Sequence, residues 1–199
     1  MKSDDITRRG FVLGGLTLMI SGCTSANPGA EPISYALEPE PERGLNPAFR
    51  REHVQYQGSE PAGTIVVNTS ERFLYHVEEG GWATRYGVAV GEQGLTLKGK
   101  ATIGNKVEWP AWTPTPNMMK RKPRLLQYAD GVEGGPSNPL GARALYLYRD
   151  GRDTMFRLHG TNEPWTIGTA VSNGCVRLTN EDIVDLYQRV PMGATVLVI

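Results

Sequence analysis

Cysteine is nearly missing from this chain. Of 199 residues, only Cys23 and Cys175 carry a thiol, which leaves no framework of disulfides to staple a fold. Histidine is almost as scarce, at three residues. His53, His76 and His159 lie far apart in sequence and form no close ligand pair, so a metal site is not expected. Charge of one sign is missing too: 21 basic residues balance 21 acidic ones. A near-neutral chain without a basic block has no electrostatic footprint for nucleic acid. No apolar run reaches the ~20 residues that cross a bilayer as a helix, and no internal repeat is visible.

What the N-terminus does contain is an address. An arginine pair, Arg8-Arg9, precedes an apolar stretch from Phe11 to Ile20. A charged start followed by a short apolar run reads as an export signal, and the adjacent arginines mark the twin-arginine route. The run ends at Ile20-Ser21-Gly22-Cys23, which resembles a bacterial lipobox; a plain cleavage site near Ala26 or Ala30 is the alternative. The expectation is a signal over residues 1–22, lipidation at Cys23, and an exported, periplasmic lipoprotein held to a membrane by its N-terminal anchor. Residues 23–60 are rich in Pro, Glu and Gly, as in an extended tether, and His53 within them reads as solvated.

From residue 61 the texture changes to short strands. Thr64 to Asn68 and Arg72 to Val77 read as a pair around Thr69-Ser70-Glu71. Tyr86 to Val90 reads as a third strand, with His76 in a structural place on the second. Ala144 to Tyr148 and Met155 to His159 form another pair, joined by a five-residue turn from Arg149 to Asp153. Thr195 to Ile199 closes the chain as a strand. Between these last elements Ile183, Leu186, Tyr187 and Val190 recur at helical spacing, with Asn180 as the expected cap and Pro191 as the stop. The fold class expected for 61–199 is mainly β, a small β-sandwich-like or mixed-sheet domain with one principal helix near the C-terminus.

One stretch carries chemistry. Ser172-Asn173-Gly174-Cys175-Val176-Arg177-Leu178 places the domain's single thiol behind a glycine, in a loop, with His159-Gly160-Thr161 upstream. Gly174 lets the backbone approach closely or take positive φ. A neighbouring imidazole can take the proton of a thiol or stabilise a thiolate. The group that would orient His159 is not legible at this level. Two further features lie between the strands. Trp109 to Pro114 is an aromatic, proline-rich loop that reads either as a groove wall or as a surface lid. Lys120, Arg121, Lys122 and Arg124 form a basic run that reads as a solvated face or as a contact for carboxylates.

Residues 61–199 resemble the L,D-transpeptidases of bacterial cell walls. The likeness rests on Gly135-Pro136-Ser137-Asn138-Pro139-Leu140-Gly141, Ala144-Leu145-Tyr146-Leu147, Leu158-His159-Gly160-Thr161-Asn162 and the segment Ser172 to Leu178, in family order. The helix from Asn180 and Gly193-Ala194-Thr195-Val196 extend it. The resemblance implies Cys175 as nucleophile and His159 as base. It implies the backbone amides of Gly174 and Cys175 as oxyanion donors, and Ser172, Asn173, Arg177 and Gly160 as residues that shape the site or contact substrate. Many members have histidine where this chain has Asn173, which can hydrogen-bond but cannot ionise.

The reaction implied is acyl transfer on peptidoglycan stem peptides. The thiolate attacks the L-centre carbonyl of diaminopimelate in a tetrapeptide stem and releases D-alanine. The resulting thioester passes to an amine, giving a 3-3 cross-link or protein attachment. No metal or organic cofactor is implied, and carbapenem-type inhibitors are expected to react with the thiol. Three other readings stand beside it: a catalytically silent peptidoglycan-binding lipoprotein, an L,D-carboxypeptidase that uses water as acceptor, and a papain-like cysteine amidase or peptidase. Papain-like enzymes place the cysteine before the histidine, the reverse of the order here.

Overall fold

A computed structural model describes residues 44–92 and 97–199. The expected signal, Cys23 and most of the expected tether lie outside the described residues. The strands are β1 (Glu52–Gln55), β2 (Ile65–Asn68), β3 (Phe73–Val77), β4 (Trp82–Gly87), β5 (Val90–Gly91) and β6 (Gly99–Glu108). A short helix α1 (Pro116–Arg121) precedes β7 (Arg143–Arg149), β8 (Arg152–His159), β9 (Ala170–Ser172) and β10 (Val176–Arg177). Helix α2 (Asn180–Arg189) and β11 (Thr195–Val198) complete the domain. Nine strands form one mixed sheet in the order β1-β4-β3-β2-β11-β6-β7-β8-β10, and β5 pairs with β9 in a second, two-stranded sheet. The β2–β11 and β8–β10 pairs are parallel; the other neighbours in the large sheet run antiparallel.

The mainly β, mixed-sheet expectation holds, with a second short helix added. The alternation in these strands explains the core. Ile65, Val67, Leu74, Ile103, Leu145, Leu147 and Leu158 turn inward with Val196 and Val198, and Ile183 and Leu186 of α2 cover them. Period-2 strands and a period-3.6 helix thus supply one shared apolar layer. The cap of α2 is Thr179, whose Oγ1 accepts from the Asp182 amide at 3.1 Å; Asn180 was the residue expected. At the other end Lys106 Nζ donates to the Tyr187 and Val190 carbonyls at 2.6 and 2.7 Å. A lysine there satisfies orphan carbonyls and complements the helix dipole.

Three local expectations need correction. The third strand is β4, which begins at Trp82 and gives way near Gly87 to the separate β5. The β7–β8 connection is shorter than the five residues expected, since Arg149 pairs with Arg152. Asp150 and Gly151 both have positive φ, 51° and 73°, the two-residue turn whose twist matches a hairpin. The tether, expected to run to residue 60, ends earlier because β1 is paired along β4. His53, on β1, stacks on Trp82 with ring centroids 4.8 Å apart and bonds to Glu78. His76 is buried in β3, as its structural reading required.

The segment before β1 acts as a strap. Asn46 caps a short turn of helix, Pro47–Phe49, and the Phe49 ring sits 5.3 Å from that of Phe73. Two glycines make room for it. A Cβ on Gly87 would lie 2.2 Å from the Phe49 carbonyl oxygen, and one on Gly168 would lie 2.2 Å from the Phe49 ring. Gly168 stands at the start of the segment leading into β9, so the strap braces the route to the cysteine loop. Phe49→Ala is expected to lower stability by about 1–2 kcal/mol, the value of a half-buried aromatic. A urea unfolding midpoint equal to that of the wild type would place the strap outside the cooperative unit.

Candidate active site

Strand alternation brings the chemistry to one face. In the parallel β8–β10 pair, Val176 lies opposite Leu158 and Arg177 opposite His159. Val176 and Leu158 point into the core. Their neighbours must point the other way, so Cys175 and Arg177 share a face with Arg157 and His159. All four line one cavity of about 1210 Å³.

The histidine is held by its own chain. His159 Nδ1 lies 2.6 Å from the Gly160 carbonyl oxygen. A carbonyl can only accept, so the proton is on Nδ1 and Nε2 is left with a free lone pair. Gly160 is buried, and a Cβ on it would lie 2.3 Å from Asn180 Oδ1. That Asn180 oxygen accepts from the Ala142 amide at 2.9 Å, tying the start of α2 to the start of β7, which pairs with the strand end that carries the histidine. Gly160, expected among substrate contacts, is not among the residues that line the cavity; its carbonyl holds the histidine ring. Burial, with the positive charge of Arg177 beside it, pushes His159 down to about 3. At neutral pH the ring is uncharged.

The cysteine loop is stapled by Ser172. Its hydroxyl donates to the Cys175 carbonyl at 2.5 Å and accepts from the Gly174 amide at 3.1 Å. Gly174 has φ of 129°, a conformation that disfavours a side chain. The Gly174 amide, expected as an oxyanion donor, is thus committed to Ser172. The Cys175 amide has no partner among the described residues. Ser172 is itself buried at the cavity edge, where it shapes the loop.

The half-buried thiol lies against β8. A bulge there sets one Leu147 against Thr154, Met155 and Phe156, and Met155 takes φ of 64°. Thr154 Oγ1 donates to the Leu147 carbonyl at 2.6 Å and Asp153 Oδ1 accepts from the Met155 amide at 2.7 Å. These bonds hold a left-handed backbone that costs ~1–2 kcal/mol in a residue with a side chain. The bulge turns the Met155 carbonyl to within 3.9 Å of Cys175 Sγ. Burial raises the thiol above its ordinary value; the Arg157 amide and the charges of Arg157 and Arg177 pull the other way. Arg157 is fixed by two bonds to Asp153 at 2.7 and 2.8 Å and lies 4.0 Å over the Tyr146 ring.

The opposite wall is the segment between β6 and β7. Trp112 pairs with Val132 through backbone bonds of 2.9 and 2.7 Å, and its ring meets Tyr128 at 6.0 Å. Asn138, fully buried, donates to the Val132 and Glu133 carbonyls and accepts from the Leu140 amide. This pins the return of the loop. Trp112, Arg121, Lys122 and Arg124 all line the cavity, so the aromatic loop is a groove wall and three of the four basic residues belong to it. Asn173 faces this wall, its Oδ1 3.5 Å from Arg121 Nη2. Arg177 is held by Glu163 at 2.9 Å.

With this geometry in place, comparison with known proteins is decisive. Residues 62–199 match the family model of the L,D-transpeptidase catalytic domain, YkuD. The chain belongs to the L,D-transpeptidase catalytic-domain family. A Fuscovulum blasticum protein provisionally named an L,D-transpeptidase is 32% identical over 99% of this chain and 100% of its own length. The ErfK/SrfK protein of Escherichia coli, named in the same provisional way, is 32% identical over 90% of this chain. The chain spans about half of that relative's length, 55%. A solved Brucella melitensis structure is 50% identical with a TM-score of 0.53, covering 79% of this chain and 98% of that one. It carries the name of a carnitine operon oxidoreductase.

Sequence reasoning missed Glu163, Arg157, Met155 and the Asn138 and Asn180 anchors. Acids and arginines in a loop or on a strand look alike whether solvated or placed, and only pairing distinguishes them. The thiol and imidazole stand on opposite sides of their ordinary values, so the resting pair is neutral. Alkylation of Cys175 by iodoacetamide is expected to rise about tenfold per pH unit between about pH 6 and 8. This is read by mass spectrometry of the peptide that carries it. A rate flat across that range would mean a preformed thiolate–imidazolium pair.

Proposed function

We propose that this chain is an exported peptidoglycan L,D-transpeptidase that works through a Cys175 thioester. The observation that carries the reading is the His159 ring, its Nδ1 held by the Gly160 carbonyl so that Nε2 is left bare, on the same cavity wall as Cys175. Binding of a stem peptide brings its diaminopimelate L-centre carbonyl to the sulfur. The thiol proton passes to Nε2 as sulfur attacks. The Cys175 amide is the donor left for the oxyanion; one such donor is worth about 3 kcal/mol in a related tetrahedral intermediate. The imidazolium returns its proton to the leaving D-alanine nitrogen, and the thioester remains. Transfer to an amine gives a cross-link or attaches a protein; transfer to water gives carboxypeptidase activity.

The electrostatics of the cavity support an anionic substrate. Arg121, Lys122, Arg124, Arg157 and Arg177 line it, against two acids, Glu92 and Glu163. Stem peptides are rich in carboxylates and suit such a wall. The oxidoreductase name is that of the Brucella relative and is not carried over to this chain. No two glycines stand two positions apart, so the opening of a dinucleotide fingerprint is missing.

Imipenem is expected to add one covalent mass to the wild-type protein and none to Cys175→Ala. His159→Ala should slow acylation at least about 100-fold, the usual value of a general base. With tetrapeptide muropeptides, D-alanine release together with dimers supports transfer. An intact thiol that gains no mass would favour a silent wall-binding protein, and cleavage elsewhere in the stem would favour a papain-like peptidase.

The N-terminal reading is part of the same proposal. Cys23, after an export signal, is the lipid acceptor that holds the domain near the wall from the membrane side. Cys23→Ser should move the protein from the membrane fraction to the soluble exported fraction. Retention in the membrane fraction would overturn the lipid anchor.

A further inference from the structure

The Arg177–Glu163 pair is an unusual feature of this cavity. Four of the five cations that line it stand apart from Glu163. Of the two acids, Glu92 is taken by Lys122 of the groove wall at 3.1 Å. Glu163 is the acid on the catalytic side, half exposed to the cavity. One carboxylate oxygen, Oε2, accepts from Arg177 Nη1 at 2.9 Å; Oε1 has no partner among the described residues. Arg177 also keeps a donor toward the cavity, since its Nη2 makes no hydrogen bond among the described residues, while its Nε is buried.

Both residues are rigidly placed relative to the sulfur. Arg177 follows Cys175 by two positions on the same strand face, about 6.6 Å of rise. Its backbone is fixed by bonds of 2.9 and 2.8 Å to Ala89. Glu163 is fixed from the histidine side: its amide donates to Thr161 Oγ1 at 3.0 Å, and its carbonyl accepts from Thr166 Oγ1 at 2.7 Å. A carboxylate with one open oxygen beside a guanidinium with one open donor is complementary to an ammonium and a carboxylate carried on one carbon. The donor stem needs only its carbonyl at the sulfur. The second substrate of a transferase needs an amine there.

We infer that Glu163 and Arg177 form the acceptor subsite, which takes a primary ammonium borne on a carbon that also carries a carboxylate. This rests on the transpeptidase reading and names the acyl acceptor that the reading leaves open. Glu163 is the specificity-determining residue, and it selects amine over water. The bound ammonium loses one proton to solvent. Its nitrogen then attacks the thioester carbon as the C–S bond breaks, and the second proton passes through His159 Nε2 to the leaving sulfur. The products are an amide and the free thiol.

The test separates acylation from its resolution. The donor is a tetrapeptide stem whose side-chain amine is acetylated, so it cannot accept. The acceptor is a tripeptide stem with a free amine, offered also with the adjacent carboxylate amidated. D-Alanine release without acceptor measures thioester turnover, and the ratio of dimer to hydrolysed donor measures the choice of acceptor. Glu163→Gln keeps an oxygen for Arg177 and should lower that ratio about tenfold, the value of one charge-assisted bond of about 1.4 kcal/mol. D-Alanine release and the imipenem adduct are measured alongside, so that the ratio is read per thioester formed. Glu163→Asp should recover part of the ratio, and amidation of the acceptor should lower it in the wild type.

An unchanged ratio in Glu163→Gln, with D-alanine release intact, would overturn the acceptor assignment alone. A parallel fall in release and dimer formation would overturn it too, in favour of a purely structural ion pair. Absence of both D-alanine release and the imipenem adduct in the wild type would overturn the transpeptidase reading and the subsite with it.

Discussion

The hydrogen bond from His159 Nδ1 to the carbonyl of its own neighbour, Gly160, is 2.6 Å long, and the rest of the site is arranged to preserve it. A side chain at position 160 would collide with Asn180. Asn180 in turn holds the Ala142 amide beside the strand end. The helix start, the return of the groove-wall loop and the strand terminus therefore meet at one glycine. With Nδ1 occupied and the ring buried, the imidazole stays neutral and presents Nε2. An imidazole held this way needs no third side chain to orient it.

Around that bond the domain separates two electrostatic tasks. The wall built between β6 and β7 is cationic and suits an anionic ligand. The catalytic side joins a guanidinium to a carboxylate, with an open position on each. The bulge at Met155 adds local strain, secured by Asp153 and Thr154, where the backbone must reach toward sulfur. Bulges and left-handed residues are costly in a sheet interior and tend to be retained where they aim a group. The strap before β1 works from the other side, since Phe49 braces Gly168 on the way to the cysteine loop.

Much of this was legible before any coordinates. The strand pairs around Thr69 and Gly151, the helix stopped by Pro191, and the thiol behind a glycine all follow from local rules. The errors were also local in origin. Asn180 looks like a cap because it precedes an apolar periodicity, yet Thr179 one step earlier takes that place and frees Asn180 for a long-range bond. Residues 52–55 look like tether because they lack an apolar face; they form an edge strand that needs only backbone pairing and one neighbour. Gly174 looked available as an oxyanion donor until the Ser172 hydroxyl was found on its amide.

The amino-acid sequence alone determined the class of fold and the family, and it set one thiol behind a glycine downstream of a histidine, because periodicity, turn chemistry and motif order are local or linear properties. Tertiary structure alone decided what orients the histidine, which amide is open to an oxyanion, and that Arg177 meets Glu163. Each of these depends on which face of a strand looks into the cavity and on which polar group finds a partner first. Such pairings are settled by the register of strands distant in the chain, and by the cost of leaving a buried donor or acceptor unsatisfied.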